Sequence, residues 1–360
     1  MELYDELINR NIRKNPDINI MFSPVMMDVI VFMLHYADGN QDWLQKFDKF
    51  KNDKTEYISL STLKKISAEI ADELKFDFNY GNKIYYSNNT KLKKGYLSKM
   101  QEIFGLGSEL YEIVNFLKKD ETMKKVNDFV TECSNNKLDP KKYTYMLFDV
   151  VPLMFFNILH YTVRFQNVFN SKNNRIGLFH TSLEQLEQTE FMITSSYLCV
   201  DFEKSLVQIP TIVDGLSLLV YQPRNGKKLV MKELFYSLNN MKFEHVTLEL
   251  PKFFLKSHFN IEESLIDAGI NFCGTMANNQ LESKTDLYVY NTMHLVNLKV
   301  NEYGLNMDQS IHQIMDDNKQ IRDFNHIVID HSFHCFVLFQ QTHTNPMVLV
   351  YSYIDNPNKT

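Results

Sequence analysis

The stretch Val300-Asn-Glu-Tyr-Gly-Leu-Asn-Met-Asp-Gln-Ser-Ile-His312 decides how the rest of the chain is read. It continues a strand-like run, Leu295–Glu302, and breaks it at Tyr303-Gly304; the next apolar strand begins only at Phe333. Loops of that length are uncommon in a compact domain and are usually functional or disordered. Residues 305 to 312 nevertheless alternate. Leu305, Met307, Gln309 and Ile311 share one face of an extended chain, and Asn306, Asp308, Ser310 and His312 share the other. A solvated loop has no need of that pattern, whereas a segment able to enter a sheet does. The working part of the molecule is therefore expected in Glu302 to Phe333, as an exposed segment and not as a pocket.

Around this segment the chain changes texture once. The first 135 or so residues read as mainly helical. Leu3, Leu7 and Ile8 recur at helical spacing, and Ser23-Pro24 supplies a capping hydroxyl followed by a first-turn proline. The run 25–37 is apolar nearly all round, and Met123, Val126, Phe129, Val130 and Cys133 form an apolar stripe opposite Lys124, Lys125, Asn127 and Asp128. Beyond residue 150 the signals are those of strands: 151–169, 206–222, 245–255, 287–300, 334–339 and 348–354. Helices first and strands later predict an α+β fold. With no linker, repeat or low-complexity tract in the sequence, residues 1–360 read as a single domain.

Composition narrows the function. A net charge of −6 lacks the concentrated basic face that phosphate recognition needs, so no nucleic-acid partner is expected. The longest apolar run, Val29–Leu34, is too short to span a bilayer, and the charged, amphipathic first residues do not form a secretory signal. Cys133, Cys199, Cys273 and Cys335 are widely spaced with no C-x-x-C pair, which suits free thiols in a reducing compartment. A cytoplasmic protein without membrane attachment is expected. Catalytic and phosphate-binding motifs do not occur in the sequence, and Gly105-Leu-Gly107 has Leu110 where a dinucleotide loop needs its third glycine. His331 and His334 would face opposite sides of a strand, which is poor for shared ligation. The chain is thus expected not to be an enzyme, and to hold no cofactor and no metal.

Seven short segments resemble one family, the serpins, in that family's order. They are Asn19-Ile-Met-Phe-Ser-Pro24; Phe155-Phe-Asn-Ile-Leu-His-Tyr-Thr-Val-Arg-Phe165, which leads to Phe169; Leu250-Pro-Lys-Phe253; Asn260-Ile-Glu-Glu-Ser-Leu-Ile-Asp-Ala-Gly269; Val300-Asn-Glu-Tyr-Gly304; Asp330-His-Ser-Phe333; and Tyr353-Ile-Asp-Asn-Pro357. The Asn/Lys/Ile/Tyr-rich composition and the start within a first helix look most like the intracellular serpins of poxviruses. The resemblance implies three β-sheets with about nine helices and an exposed reactive-centre loop, here about 303–330. It also implies a monomeric inhibitor of a host serine or cysteine protease, and so a viral modulator of host apoptosis or inflammation. After cleavage the loop enters the central sheet as a new strand, a general property of the family and not a reading of these residues.

The resemblance assigns roles by position. Glu302, Gly304, Leu305 and Met307 form the hinge; Ser23, Asn157 and His294 form a polar cluster, the shutter, beneath the opening sheet; and the reactive bond falls at Asn318-Lys319, with Asp317 as the alternative. Asn318 would suit an asparagine-specific protease, Asp317 one that reads acid, and Lys319 or Arg322 a trypsin-like one. The hinge departs from the inhibitory pattern. Leu305 stands in place of a small hydroxyl residue, and Asn306, Met307, Asp308 and Gln309 in place of a run of small ones. Inserting such side chains gains burial of roughly 1.5–3 kcal/mol each but risks overpacking of about 1–3 kcal/mol. A non-inhibitory protein that binds partners through the same fold therefore stays open as the alternative. Met26 replaces a second serine near the shutter, and Phe165 a tryptophan near the point of insertion.

Overall fold

A computed structural model describes residues 2–29, 77–88, 94–98, 111–138, 153–223, 229–256, 259–260, 292–307, 325–340 and 346–360. Three α-helices have defined bounds among them: α1 (Glu2–Lys14), α2 (Lys119–Cys133) and α3 (Met231–Leu238). Further helical turns lie at 24–29 and 94–98. The strands begin with β1 (Ile20–Phe22), β2 (Phe78–Ser87), β3 (Tyr111–Val114), β4 (Leu153–Tyr161) and β5 (Val163–Arg164). Next come β6 (Arg175–His180), β7 (Leu186–Asp201), β8 (Leu206–Pro210) and β9 (Leu216–Tyr221). The last are β10 (Lys242–Pro251), β11 (Phe253–Lys256), β12 (Phe259–Asn260), β13 (Thr292–Asn301), β14 (Gly304–Leu305), β15 (Asn325–Val328), β16 (Phe333–Phe339) and β17 (Met347–Ile354).

These strands form an eight-stranded sheet, β3-β2-β4-β13-β14-β5 with β11 and β12 also on β13, and a nine-stranded assembly, β1-β17-β16-β9-β8-β7-β10-β15 with β6 on β7. The nine-stranded assembly is two sheets sharing β7. Along that sixteen-residue strand β10 pairs with residues 191–200, β6 with 186–191 and β8 with 199–201. Three sheets result, as the resemblance implies. The N-terminal β1 pairs antiparallel with the C-terminal β17. Asn19 fixes this junction: its side-chain amide donates to the carbonyls of Asn356 and Lys359, and its oxygen accepts from the Asp355 and Asn356 amides.

The central strand β4, LMFFNILHY, is buried along its whole length, as a strand covered on both faces must be. One face meets the large core, which includes Phe22, Phe155, Leu159, Phe191 and Phe333. The other lies under α2, where Val126 and Val130 pack with Tyr85, Met154, Phe156, Ile158 and Met293. Gly81 on β2 lets the helix approach, since a Cβ there would lie 2.4 Å from Cys133 Sγ and 2.8 Å from the Phe129 ring.

The helix-first texture needs correction. β2 and β3 lie inside the stretch read as helical. β2 escapes a period-of-two search because Gly81 and the buried Asn82 sit where apolar side chains would mark a strand. β7 begins Leu-Glu-Gln-Thr-Glu, polar and rich in helix formers, yet pairing with β6 and β10 overrides that local preference. The predicted strand at 206–222 is a hairpin of β8 and β9. The segment 303–330 is not wholly loop: its start forms β14, and β15 near its end pairs in parallel with β10.

Candidate functional site

The site lies where β4 and β13 run side by side and then part. They pair in parallel from Thr292↔Phe155 to Val296↔Leu159, with no strand between them over that span. Beyond it the chain turns at the end of β13. Asn301 Oδ1 holds this turn by accepting from the Tyr303 amide (3.1 Å) and the Gly304 amide (3.3 Å). β14 then runs back between β13 and β5, the short strand that follows β4. Gly304 pairs with Asn301 and Arg164, and Leu305 with Val300 and Val163, antiparallel on both sides. Gly304 is required here, because a Cβ would fall 2.1 Å from the Val163 carbonyl oxygen.

Of the segment read as the hinge, Gly304 and Leu305 are paired in the sheet and Leu305 is fully buried; Met307, 2 % exposed, follows the strand and is buried outside it. Asn306, on the opposite face of the alternation, is also buried. Its backbone has φ 56°, a left-handed conformation that asparagine tolerates better than most residues. Residues 308–324, with Asp317, Asn318, Lys319 and the rest of the alternating run, lie outside the described residues.

Glu302 anchors the turn from the other side. Its carbonyl accepts from the Phe169 amide and that of Tyr303 from the Phe165 amide, both at 2.8 Å. The Phe165 and Phe169 rings pack 5.8 Å apart, so phenylalanine fills the place read as a tryptophan position. The nearly buried Glu302 carboxylate accepts from Asn174 Nδ2 and, at 3.0 Å, from Lys252 Nζ. Lys252 also reaches Glu190 at 2.8 Å. Burial pushes the Glu302 carboxyl up, but the hydrogen bonds from Asn174, its own backbone amide and Lys252 outweigh it and hold the group below the ordinary carboxylate range. Burial lowers the Lys252 ammonium, and the two carboxylates more than reverse that.

The shutter residues converge lower down. His294 and Asn157 are partners across β13 and β4. The Ser23 amide donates to His294 Nε2 (2.9 Å), so the other ring nitrogen carries the proton and donates to Asn157 Oδ1 (2.8 Å). Asn157 Nδ2 in turn donates to Asn82 Oδ1 (2.7 Å) and to the Met26 carbonyl (3.2 Å). Asn82, on β2, was missed in the sequence, and Met26 keeps its place in the cluster through its backbone. Burial pushes His294 down to about 3, so the ring is neutral at physiological pH. A strand entering between β4 and β13 would break the His294–Asn157 bond.

Other sequence candidates play different parts. His334 is buried and bonded to the Tyr351 hydroxyl at 2.9 Å, while the exposed His331 stacks on His180. Among the described residues Cys133, Cys199 and Cys335 form no disulfide, and no His/Cys/Asp/Glu group of three could hold a metal. No helix among them is long and apolar enough to cross a membrane.

β14 fills the gap between β13 and β5, and the Ser23–His294–Asn157 cluster lies where β4 and β13 pair directly. The family model described as serpin (serine protease inhibitor) matches residues 1–351, and the chain belongs to the serpin family. Among curated relatives, human antithrombin-III is 23% identical over 323 residues, covering 81% of this chain and 67% of that protein. Human serpin B4 is 20% identical over 324 residues, covering 81% of this chain and 83% of its own. Among solved structures, human thyroxine-binding globulin complexed with thyroxine superposes with a TM-score of 0.77 at 17% identity, covering 99% of this chain and 97% of that one. Serpin48 of the insect Tenebrio molitor gives 0.75 at 17% identity, covering 99% and 96%. These structural likenesses establish the serpin fold.

Proposed function

We propose that this serpin is an inhibitor of a host serine or cysteine protease, acting in the cytosol as a monomer and as a viral modulator of host apoptosis or inflammation. The observation that carries the reading is β14. The hinge enters the slot antiparallel to both neighbours and buries Leu305, so the first step of insertion is sterically open to this sequence. Below it, β4 and β13 pair directly, leaving the remaining slot to be opened by cleavage. That Cys199 and Cys335 form no disulfide supports a reducing compartment, and burial raises both thiols, which keeps them protonated and unreactive. Asn318-Lys319 is proposed as the cleaved bond, with Asp317 next.

Incubation with proteases that cut after Asn, Asp or a basic residue tests this. One of them is expected to give an adduct stable to SDS, with the break mapped to 317–319. If every protease that cuts the segment leaves only free cleaved protein of unchanged stability, the reading is wrong. A second reading has one observation in its favour. Asn306 halts the inserted strand after two residues, and a hinge that stops there would suit a serpin-fold binding module. Human thyroxine-binding globulin, a neighbour in fold, is described with a small ligand. A partner whose binding survives replacement of residues 313–322 would favour this second reading.

A further inference from the structure

We propose that Asn306 is a clamp that holds the hinge part-way into the sheet and sets the rate at which the rest of the loop follows. The inference rests on the loop-insertion reading above and concerns the regulation of that same slot. Where β4 and β13 part, backbone groups on both lose their cross-strand partners, and leaving such groups buried and unpaired is costly. The Asn306 side chain supplies the missing partners. Its Nδ2 donates to the Tyr161 carbonyl at the end of β4 (2.9 Å) and to the Asn297 carbonyl on β13 (3.1 Å), and its Oδ1 accepts from the Lys299 amide (2.7 Å). The Asn306 amide adds a bond to the Lys299 carbonyl (2.8 Å). One side chain thus does what the backbone of an inserted strand would do, bridging both walls of the slot at the level where insertion has stopped.

The following residues are held as well. Asn301 Nδ2 donates to the Met307 carbonyl (2.8 Å), and Met307 is itself buried. A strand continuing down the slot needs Asn306 extended, but it sits at φ 56°. Insertion past this point therefore requires Asn306 to leave the left-handed conformation and surrender its three side-chain bonds, after which the incoming backbone takes over the same carbonyls and amide. Asparagine suits both demands, since it tolerates the left-handed region and carries donor and acceptor on one short side chain. Asn306 is a positioning residue: it touches no substrate and acts on the slot alone.

The test compares wild type with Asn306→Ala and Asn306→Gly after cleavage within 313–322, following the rate at which the stabilised form appears. Both variants are expected to insert on the order of tenfold faster, the scale set by losing one or two net hydrogen bonds from the starting state. Glycine keeps the left-handed backbone at no cost, so its acceleration isolates the side chain. The final cleaved forms of all three proteins should melt together, which shows that the variants fold. Wild-type rates in both variants would overturn the clamp. Hydrogen exchange at the Lys299 amide in uncleaved protein gives an independent reading and is expected to quicken by a similar factor. If cleaved wild type never gains stability, the insertion reading falls by itself, and unchanged Lys299 exchange would then overturn the clamp on its own.

Discussion

Replacing Lys252 by alanine is expected to cost the uncleaved protein about 3–5 kcal/mol, because it strands a buried carboxylate without its counter-ion. Glu302 is 3 % exposed and keeps only Asn174 as a side-chain partner once Lys252 is gone. A surface ion pair would be worth a fraction of this, but the hinge carboxylate is not on the surface. The loss should appear as a lowered denaturant midpoint. The double replacement Lys252→Met with Glu302→Leu should recover most of it, since an apolar pair leaves no charge unpaired. A single-variant loss below about 1 kcal/mol would mean that the carboxylate has another partner or escapes to water. The sign of the pH effect follows from the same network. The Glu302 carboxyl lies below its ordinary value in the folded protein, so its stabilisation is present above the ordinary carboxylate range and is lost as pH falls through the folded value.

The second large effect is acid lability at a milder pH, with its origin in two separately buried histidines, His294 and His334. Burial holds His294 and His334 near 3. In the unfolded chain both would titrate near 6.5. Between those values the unfolded state binds more protons, so stability is full above about pH 6.5 and falls as pH drops toward 3. Each ring contributes roughly 1.4 kcal/mol per pH unit in that window, so going from pH 6.5 to 5 costs on the order of 2 kcal/mol for each. The Glu302 contribution begins to fail only below this interval, which separates the two effects. Denaturant unfolding at several pH values should show a slope near two protons, reduced to near one in His294→Gln. A slope unaltered by that replacement would show that the ring is already charged in the fold.

How much of this was legible in the sequence depended on the kind of signal. Motifs of fixed order placed Ser23, Asn157 and His294 together from three distant segments, and the structure joins them within 2.9 Å. The alternation after Gly304 announced a strand-forming segment; of it Leu305 alone is in the sheet, Asn306 leaves the extended conformation, and 308–312 lie outside the described residues. Leu305 read as an obstacle because the sequence shows only its size, whereas the space beside Val163 and Val300 exists only in the folded molecule. Asn306 and Asn82 were invisible for a related reason. A buried asparagine looks like any polar residue until the backbone groups it satisfies are in place. β2 and β7 were lost because glycine, buried asparagine and glutamate occupy positions where tertiary pairing overrides local preference.

The central claim is that the slot between β4 and β13 accepts the loop, and thermal unfolding before and after a single cut within residues 313–322 tests it most directly. Each further apolar side chain buried by insertion, Ile311 first, adds roughly 1.5–3 kcal/mol, beyond the cross-strand hydrogen bonds it brings. At the length of this chain the shift is about 1–2 °C per kcal/mol, so the cleaved protein should melt several degrees above the intact one. A cleaved form that melts at or below the intact temperature would contradict the account: β14 would then be the limit of what the sheet takes in.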